Sequence, residues 1–175
     1  MLINAMANLR GILHVQIWEN RLKVTNLLSN SVFDQAPNIA IKTKAKGGKE
    51  ITAYGNEALV TLDKDTISYN PFSHPRMLLA DVIAAQELLK LVFNKTKSSV
   101  IFSPIVIIQP MEKLEGNLTY LERREFKSLA INSGAKEAYI YEADKKFSDE
   151  VTADLLKRII LDQISHDELI MFEKR

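Results

Sequence analysis

Short alternating apolar runs, separated by turn residues, dominate the first third of the chain. Alternation with a period of two predicts half-buried strands, which cover residues 12–19, 22–27, 39–43 and 51–54. Asn20 and Arg21 predict a tight turn between the first two strands. Asn30 and Asp34 predict a longer turn before the third. The pattern is typical of an antiparallel meander.

The apolar period lengthens in the middle of the chain. Over residues 75–95 apolar side chains recur at helical spacing, which predicts a helix that lies on a sheet. Residues 100–108 are rich in Val and Ile without alternation, which predicts a strand covered on both faces. The helical stripe consists of Leu78, Val82, Ala85, Leu89 and Val92, widened by Leu79, Ile83 and Phe93.

Terminal signals frame a second helix and a last strand. Thr119 and Glu122 have the spacing of a capping box, and Gly134 suits a left-handed helix end. Residues 138–141 predict the strand that follows. The order of strand meander, helix, buried strand, helix and strand is that of an α/β fold with a mixed sheet.

The segment after residue 142 has a different pattern. Ser148 begins a predicted helix whose apolar positions recur every three to four residues as far as residue 164. A second capping-box pattern at residues 165–168 predicts a short final helix. We therefore expect a body of residues 1–142 and a helical tail of residues 143–175 that packs on the body or extends from it.

Composition narrows the class of protein. The 175 residues are 46% hydrophobic and 26% charged, as in one ordinary globular domain rather than a disordered chain. The net charge is only +1, so nucleic-acid binding would need a local basic patch, and we expect no nucleic-acid partner. Because the chain contains no Cys, disulfides and thiol catalysis are excluded, and we expect a cytoplasmic location.

Known cofactor and metal motifs are absent from the sequence. His14, His74 and His166 lie far apart and lack the spacing of metal ligands. Neither a Gly-rich dinucleotide fingerprint nor a P-loop occurs. We therefore expect no bound cofactor and no metal site.

Three groups of side chains are candidates for contacts with a partner: a lysine-rich hairpin tip, a charged helix face and an apolar cluster near the end of the chain. The tip could bind phosphates or an acidic protein, the face could dock a partner, and the cluster could anchor one. The alternatives are a solvated tip, a solvated face and a tail folded back on the body. The groups are Lys42, Lys44, Lys46 and Lys49; Glu122, Arg123 and Arg124; and Leu169, Ile170 and Phe172.

Several stretches together resemble one known family. Residues 121–142 contain Leu-Glu-Arg-Arg, then Gly-Ala and a strand, in the order found in the MreB-type bacterial actins of the actin-like ATPase superfamily. Tyr54-Gly-Asn-Glu-Ala58 is similar to their Val-Gly-x-Glu-Ala signature, and Gln109-Pro110 falls where they have Val-Pro. Asn70-Pro71 and Leu79-Ala-Asp81 are similar to their Arg-Pro and Ile-Ala-Asp elements. The resemblance, over residues 13–142, implies the ribonuclease-H-like fold of actin subdomain IA with a reduced subdomain IB.

The chain departs from this family at the nucleotide site. The first phosphate loop, Asp-x-Gly-Thr in the family, is replaced by residues 16–19, Gln-Ile-Trp-Glu. By the resemblance, Gln16 removes the carboxylate that organises the metal, Trp18 fills the space where backbone amides approach a phosphate, and Glu19 adds negative charge.

A second departure affects the attacking water. Ala143 stands where the family has the Glu that positions this water, and Ala can neither orient water nor accept its proton. Trp18 could instead stack on a ligand or lie half-buried in its strand. The chain also ends before the family's second phosphate loop and second domain, which implies one lobe of a two-lobed site.

We therefore expect a non-catalytic, actin-like half-protein that acts as a protein-interaction or regulatory module and is not an enzyme. The resemblance implies a setting in bacterial cell shape, division or cytoskeletal organisation, with a filament protein or a cell-shape or division component as partner. One lobe lacks the surface pair of a head-to-tail filament, so we expect no self-polymerisation, while a homo-oligomer stays open. Peripheral membrane contact through the first ten residues, where the family carries an amphipathic helix, also stays open.

The alternative is an ATP-binding or ATPase lobe that a second chain completes. Its available carboxylates would be Glu19, Asp81 and Glu142. Titration with Mg-ATP separates these two classes of protein.

Overall fold

A five-stranded mixed sheet forms the centre of the protein, for which a computed structural model describes residues 11–60 and 63–142 together with Ile159. The strands are β1 (Ile12–Ile17), β2 (Leu22–Asn26), β3 (Val32–Gln35), β4 (Ile39–Thr43), β5 (Lys49–Tyr54), β6 (Thr66–Tyr69), β7 (Ile105–Pro110) and β8 (Glu137–Ile140). The helices are α1 (Val82–Thr96) and α2 (Tyr120–Asn132), and a short 3-10 helix (Gly55–Leu59) follows β5.

The strand order of the large sheet is β3-β2-β1-β7-β8. β1 to β3 run antiparallel, whereas β7 pairs parallel with both β1 and β8. Every residue of β1 and β7 is buried, as expected of central strands covered on both faces. This arrangement confirms the predicted α/β fold with a mixed sheet.

Side chains alternate between two apolar layers. Leu13, Val15 and Ile17 share one core cluster with the buried faces of α1 and α2. On the other face of the sheet, Ile12, Ile105 and Ile107 form a second cluster with Ile159, which has helical conformation and is 5% exposed. Ile159 is the only described residue of the predicted tail, and the division into body and tail stays a prediction.

β4, β5 and β6 form a second, three-stranded antiparallel sheet in the order β5-β4-β6. The family-like signature at residues 54–58 has a local reason, since Gly55 has a φ of +70°. A Cβ at this position would lie 2.0 Å from Gln35 Oε1, which accepts a hydrogen bond from the amide of Asn56. Gly55 therefore allows the chain leaving the small sheet to pass close to β3.

Several sequence predictions about the elements were wrong. The first four predicted strands do not form one meander, because they divide between the two sheets, and both β3 and β6 were missed. Only Asn30 lies in the predicted longer turn, since Asp34 belongs to β3, opposite Lys23. α1 begins at Val82 rather than near residue 75, because Asp81 caps it by accepting a hydrogen bond from the amide of Ala84.

Two predictions about apolar positions were also wrong, one on α1 and one at the start of β7. Ile83 was placed on the stripe of α1 but is 77% exposed. The predicted strand at residues 100–108 begins only at Ile105, whose amide bonds to the carbonyl of Gly11 at the start of β1. Val100 and Ile101 are 92% and 86% exposed.

The predicted ends of α2 are confirmed. The Thr119 side chain accepts a hydrogen bond from the amide of Glu122, whose carboxylate in turn accepts one from the amide of Thr119. Gly134 follows the helix with a φ of +108°.

Candidate functional site

Residues 16–19, which the resemblance aligns with the family's phosphate loop, form the end of β1 and the start of the turn to β2. The amide of Trp18 bonds to the carbonyl of Arg21 at 2.9 Å and closes the turn. The Arg21 guanidinium lies 4.9 Å from the centre of the Trp18 ring and donates two hydrogen bonds to Asp34 on β3. These bonds hold the pKa of Asp34 below its usual range. Trp18 is half-buried, but it follows β1, which ends at Ile17, and does not lie within the strand as predicted.

The side chain of Gln16 belongs to a buried cluster of polar side chains and does not line an open site. It is 1% exposed, and its Nε2 donates to Gln109 Oε1 at 3.2 Å. His14 Nε2 lies 2.8 Å from the same oxygen. Gln16, which the resemblance aligns with the family's metal-organising carboxylate, is therefore a neutral amide bonded to a residue of β7.

Glu19, at the tip of the turn, contacts two other loops. Its carboxylate forms an ion pair with Lys113 at 2.8 Å and accepts a hydrogen bond from Ser73 at 3.0 Å. Its carbonyl accepts from Asn70 Nδ2 at 2.8 Å, and its amide donates to Glu112 Oε2 at 2.7 Å. The bonds from Lys113 and then Ser73 lower the pKa of Glu19. The negative charge that the sequence predicted at the turn is therefore neutralised within the chain.

The other two carboxylates of the enzyme alternative also have structural partners. Asp81 caps α1. Glu142 lies just after β8 and is paired with Arg123 of α2, with 2.7 Å between Nη2 and Oε1 at an angle unsuited to a hydrogen bond. Its other oxygen accepts from the amide of Leu118 at 3.3 Å. The structure does not bring Glu19, Asp81 and Glu142 together as ligands of one ion, and Ala143 lies outside the described residues.

The lysine-rich tip is a hairpin, as predicted, but half of its charge is compensated. Lys42 forms an ion pair with Asp63 at 2.6 Å, which lowers the pKa of Asp63 to about 2, and Lys44 pairs with Glu50 at 2.9 Å. Lys46 and Lys49 are exposed. The tip is therefore a mixed-charge surface.

The charged face of α2 is also partly engaged within the chain. Glu122 closes the capping box, and Arg123 pairs with Glu142. Arg124 is exposed. Leu169, Ile170 and Phe172 lie outside the described residues, so the predicted apolar anchor stays a prediction.

An exposed apolar surface at the loop between α1 and β7 was not predicted from the sequence. We call it the 100–102 surface; it consists of Val100, Ile101 and Phe102. Leu28, on the loop between β2 and β3, is also exposed. The Ser99 hydroxyl accepts hydrogen bonds from the amides of Ile101 and Phe102 and fixes the loop. The side chain of Asn26 joins the two loops by donating to Ser98 Oγ at 2.7 Å.

Two further features are missing from the described part of the chain. Within residues 11–60 and 63–142, no three His, Asp or Glu side chains lie close enough together to hold a metal ion. Neither described helix has the length and apolar character needed to cross a membrane.

Comparison with known proteins places this geometry in context. No protein-family model matches the chain, and no curated protein matches it. Solved structures do match. MreB5 of Spiroplasma citri bound to ADP has a TM-score of 0.59 at 22% identity over 76% of this chain, and its AMPPNP-bound form has a TM-score of 0.57 with the same identity and coverage. A non-polymerising mutant of MamK bound to AMPPNP has a TM-score of 0.61 at 12% identity over 76% of this chain.

These likenesses concern part of each neighbour. The chain spans 38% of the length of MreB5 and 41% of that of MamK. At this level of identity they show a shared fold. The described residues therefore have the actin-like fold that the resemblance implied.

Proposed function

We propose that the protein is a non-catalytic, actin-like module that acts through contacts with other proteins, in bacterial cell shape or cytoskeletal organisation. The observation that carries this proposal is the engagement of Glu19 at the turn where a phosphate would bind. A phosphate needs free amides and positive potential at such a turn. Here the amide of Glu19 is taken by Glu112, and the Lys113 ammonium is taken by the Glu19 carboxylate.

Two side chains next to Glu19 support the same conclusion. Gln16 is a buried neutral amide bonded to Gln109, so it offers no charge to a metal ion. Trp18 puts an indole where the family has the Gly that lets a phosphate approach the backbone. The proposed cellular setting comes from the sequence resemblance to the MreB-type bacterial actins, and the proposed partner class is a protein of the same cytoskeletal or cell-shape system.

Titration calorimetry with Mg-ATP tests the absence of nucleotide binding. We expect no saturable heat and no release of phosphate, because neither the metal nor the phosphates have ligands at the turn. Saturable micromolar binding with turnover would support the alternative, an ATP-binding lobe completed by a second chain. That alternative gains weight from the neighbours, which were solved with ADP or AMPPNP.

A matched pair of variants locates any binding that is found. Glu19→Gln alters the turn, whereas Glu87→Gln alters a carboxylate on α1 that pairs with Lys90. If only Glu19→Gln changes the affinity for Mg-ATP, the nucleotide lies at the turn.

A second candidate function, attachment to a lipid surface, is favoured by the 100–102 surface. Val100 and Ile101 are 92% and 86% exposed, and Lys97 directly precedes the loop. β1 begins beside this loop, since the amide of Ile105 donates to the carbonyl of Gly11, whereas residues 1–10, for which the sequence left membrane contact open, lie outside the described residues. Adjacent exposed apolar side chains with a nearby cation suit the boundary between headgroups and acyl chains of anionic lipid.

Co-sedimentation with phosphatidylglycerol vesicles tests this attachment. We expect the wild-type chain to bind and the double variant Val100→Ser, Ile101→Ser to bind about tenfold less or weaker still, because two apolar side chains no longer enter the bilayer. Ile67→Ser is the control, since Ile67 is 64% exposed on β6 of the other sheet. Equal vesicle binding by all three proteins would contradict attachment through the 100–102 surface.

A further inference from the structure

Three loops that are distant in sequence meet at Glu19. The turn of residues 18–21 joins β1 to β2, residues 70–74 lead from the small sheet towards α1, and residues 111–113 follow β7. The amide of Glu19 bonds to residues 111–113, its carbonyl bonds to residues 70–74, and its carboxylate bonds to both of these loops. Lys113 in turn contacts the turn through the Glu19 carboxylate and residues 70–74 through the carbonyl of His74.

We propose that Glu19 and Lys113 form a built-in latch that holds these three loops together without a ligand, with the Lys113 ammonium providing the positive charge that a bound cation would otherwise supply there. This inference rests on the proposed absence of nucleotide binding. It adds a conformational role for the residues that replace the phosphate loop.

The backbone of Lys113 supports a built arrangement rather than a chance surface contact. Lys113 has a φ of +58°, a left-handed conformation that L residues other than Asn and Asp rarely adopt. Such a conformation persists where surrounding contacts determine it. Its side chain is 19% exposed, against 40% for Lys90 in the surface pair with Glu87, so water screens the charge of Lys113 less.

The latch also connects the two sheets. Residues 70–74 follow β6 of the small sheet, whereas the turn of residues 18–21 and residues 111–113 extend β1 and β7 of the large one. In a two-lobed ATP site, contacts between the first turn and a nucleotide form only when the nucleotide is bound. In this chain the equivalent contacts are an ion pair and hydrogen bonds between residues of the chain itself, so they need no bound nucleotide.

Amide hydrogen exchange followed by NMR tests the latch in the full chain. In the wild type we expect the amide of Glu19, which donates to Glu112, to be protected without nucleotide. Lys113→Met is expected to speed exchange about tenfold in all three loops at once, because one ion pair joins them. Lys113→Arg retains the charge and the donors and should keep the protection, while Lys90→Met should leave these loops unchanged.

The outcomes separate this inference from the proposed function. Faster exchange confined to residues 111–113 in Lys113→Met, or unchanged exchange, would overturn the latch. If Mg-ATP slows exchange in the wild type, the absence of nucleotide binding is wrong. The latch itself is then still judged by the effect of Lys113→Met measured without nucleotide.

Discussion

Replacing Asn26 with Ala is expected to lower the free energy of unfolding by about 3 kcal/mol. Asn26 is 0% exposed at the end of β2. Its Nδ2 donates to the carbonyl of Thr96 at 2.8 Å and to Ser98 Oγ, and its Oδ1 accepts from the amides of Leu28 and Ser29. Water can reach the exposed Leu28 and Ser29, but the carbonyl of Thr96, at the buried end of α1, loses its donor.

Urea denaturation measures this loss, with two further variants as comparisons. Asn26→Asp keeps the shape but turns a donor towards the Thr96 carbonyl into an acceptor, so we expect a loss at least as large as that of Asn26→Ala. Asn94→Ala changes an exposed position of α1 and should stay within about 0.5 kcal/mol of the wild type. A change of that small size for Asn26→Ala would show that the side chain does not fasten β2 to α1.

The role of Asn26 shows which part of the fold the sequence could not predict. Its neighbours in sequence indicate a strand end, whereas the partners of its Nδ2, Thr96 and Ser98, lie about seventy residues further along the chain. Local patterns did predict the buried strands and the capped start of α2, because burial period and capping are short-range properties. β3 and β6 were missed because each pairs with only one strand and carries polar residues, such as Asp34 and Ser68, within a short run.

The apolar loop before β7 shows the opposite error. Val100, Ile101 and Phe102 have the composition of a strand, but β7 can begin only where β1 begins, at Ile105 beside Gly11. Propensity could not locate that boundary, because it is set by pairing between distant segments. The same run that misled the strand prediction forms the 100–102 surface.

The candidate site was predictable in position but not in chemistry. The resemblance directed attention to Gln16, Trp18 and Glu19. It gave Gln109 only as part of a family-like element and did not indicate that Gln109 bonds to Gln16 or that Lys113 bonds to Glu19, because these contacts span more than ninety positions. The loss of the phosphate loop therefore stays a prediction from the sequence, and the structure adds the contacts that Gln16 and Glu19 make.

Restoring the family's carboxylate by Gln16→Asp is expected to destabilise the protein by about 3 kcal/mol at pH 7 without creating nucleotide binding. Gln16 Nε2 and His14 Nε2 share Gln109 Oε1, an acceptor, so both nitrogens donate. The new carboxylate would face that acceptor oxygen in a position that is 1% exposed for Gln16. Burial of the charge raises the pKa of the new carboxyl above its unfolded value of about 3.9.

The direction of that pKa shift fixes the pH dependence. A raised folded-state pKa means that the folded protein holds the proton more tightly, so the variant is least destabilised below about pH 3.9 and loses stability as pH rises through the folded pKa. Gln16→Asn serves as control, because Asn has about the size of Asp but no charge. The difference in free energy of unfolding between the Asp and Asn variants, measured by urea denaturation at pH 4 and pH 7, isolates the effect of the charge. A constant difference would mean that water or a rearranged Gln109 solvates the carboxylate. Lys113 stays paired with Glu19 in the Asp variant, so the restored acid alone gives Mg-ATP no cationic turn to bind.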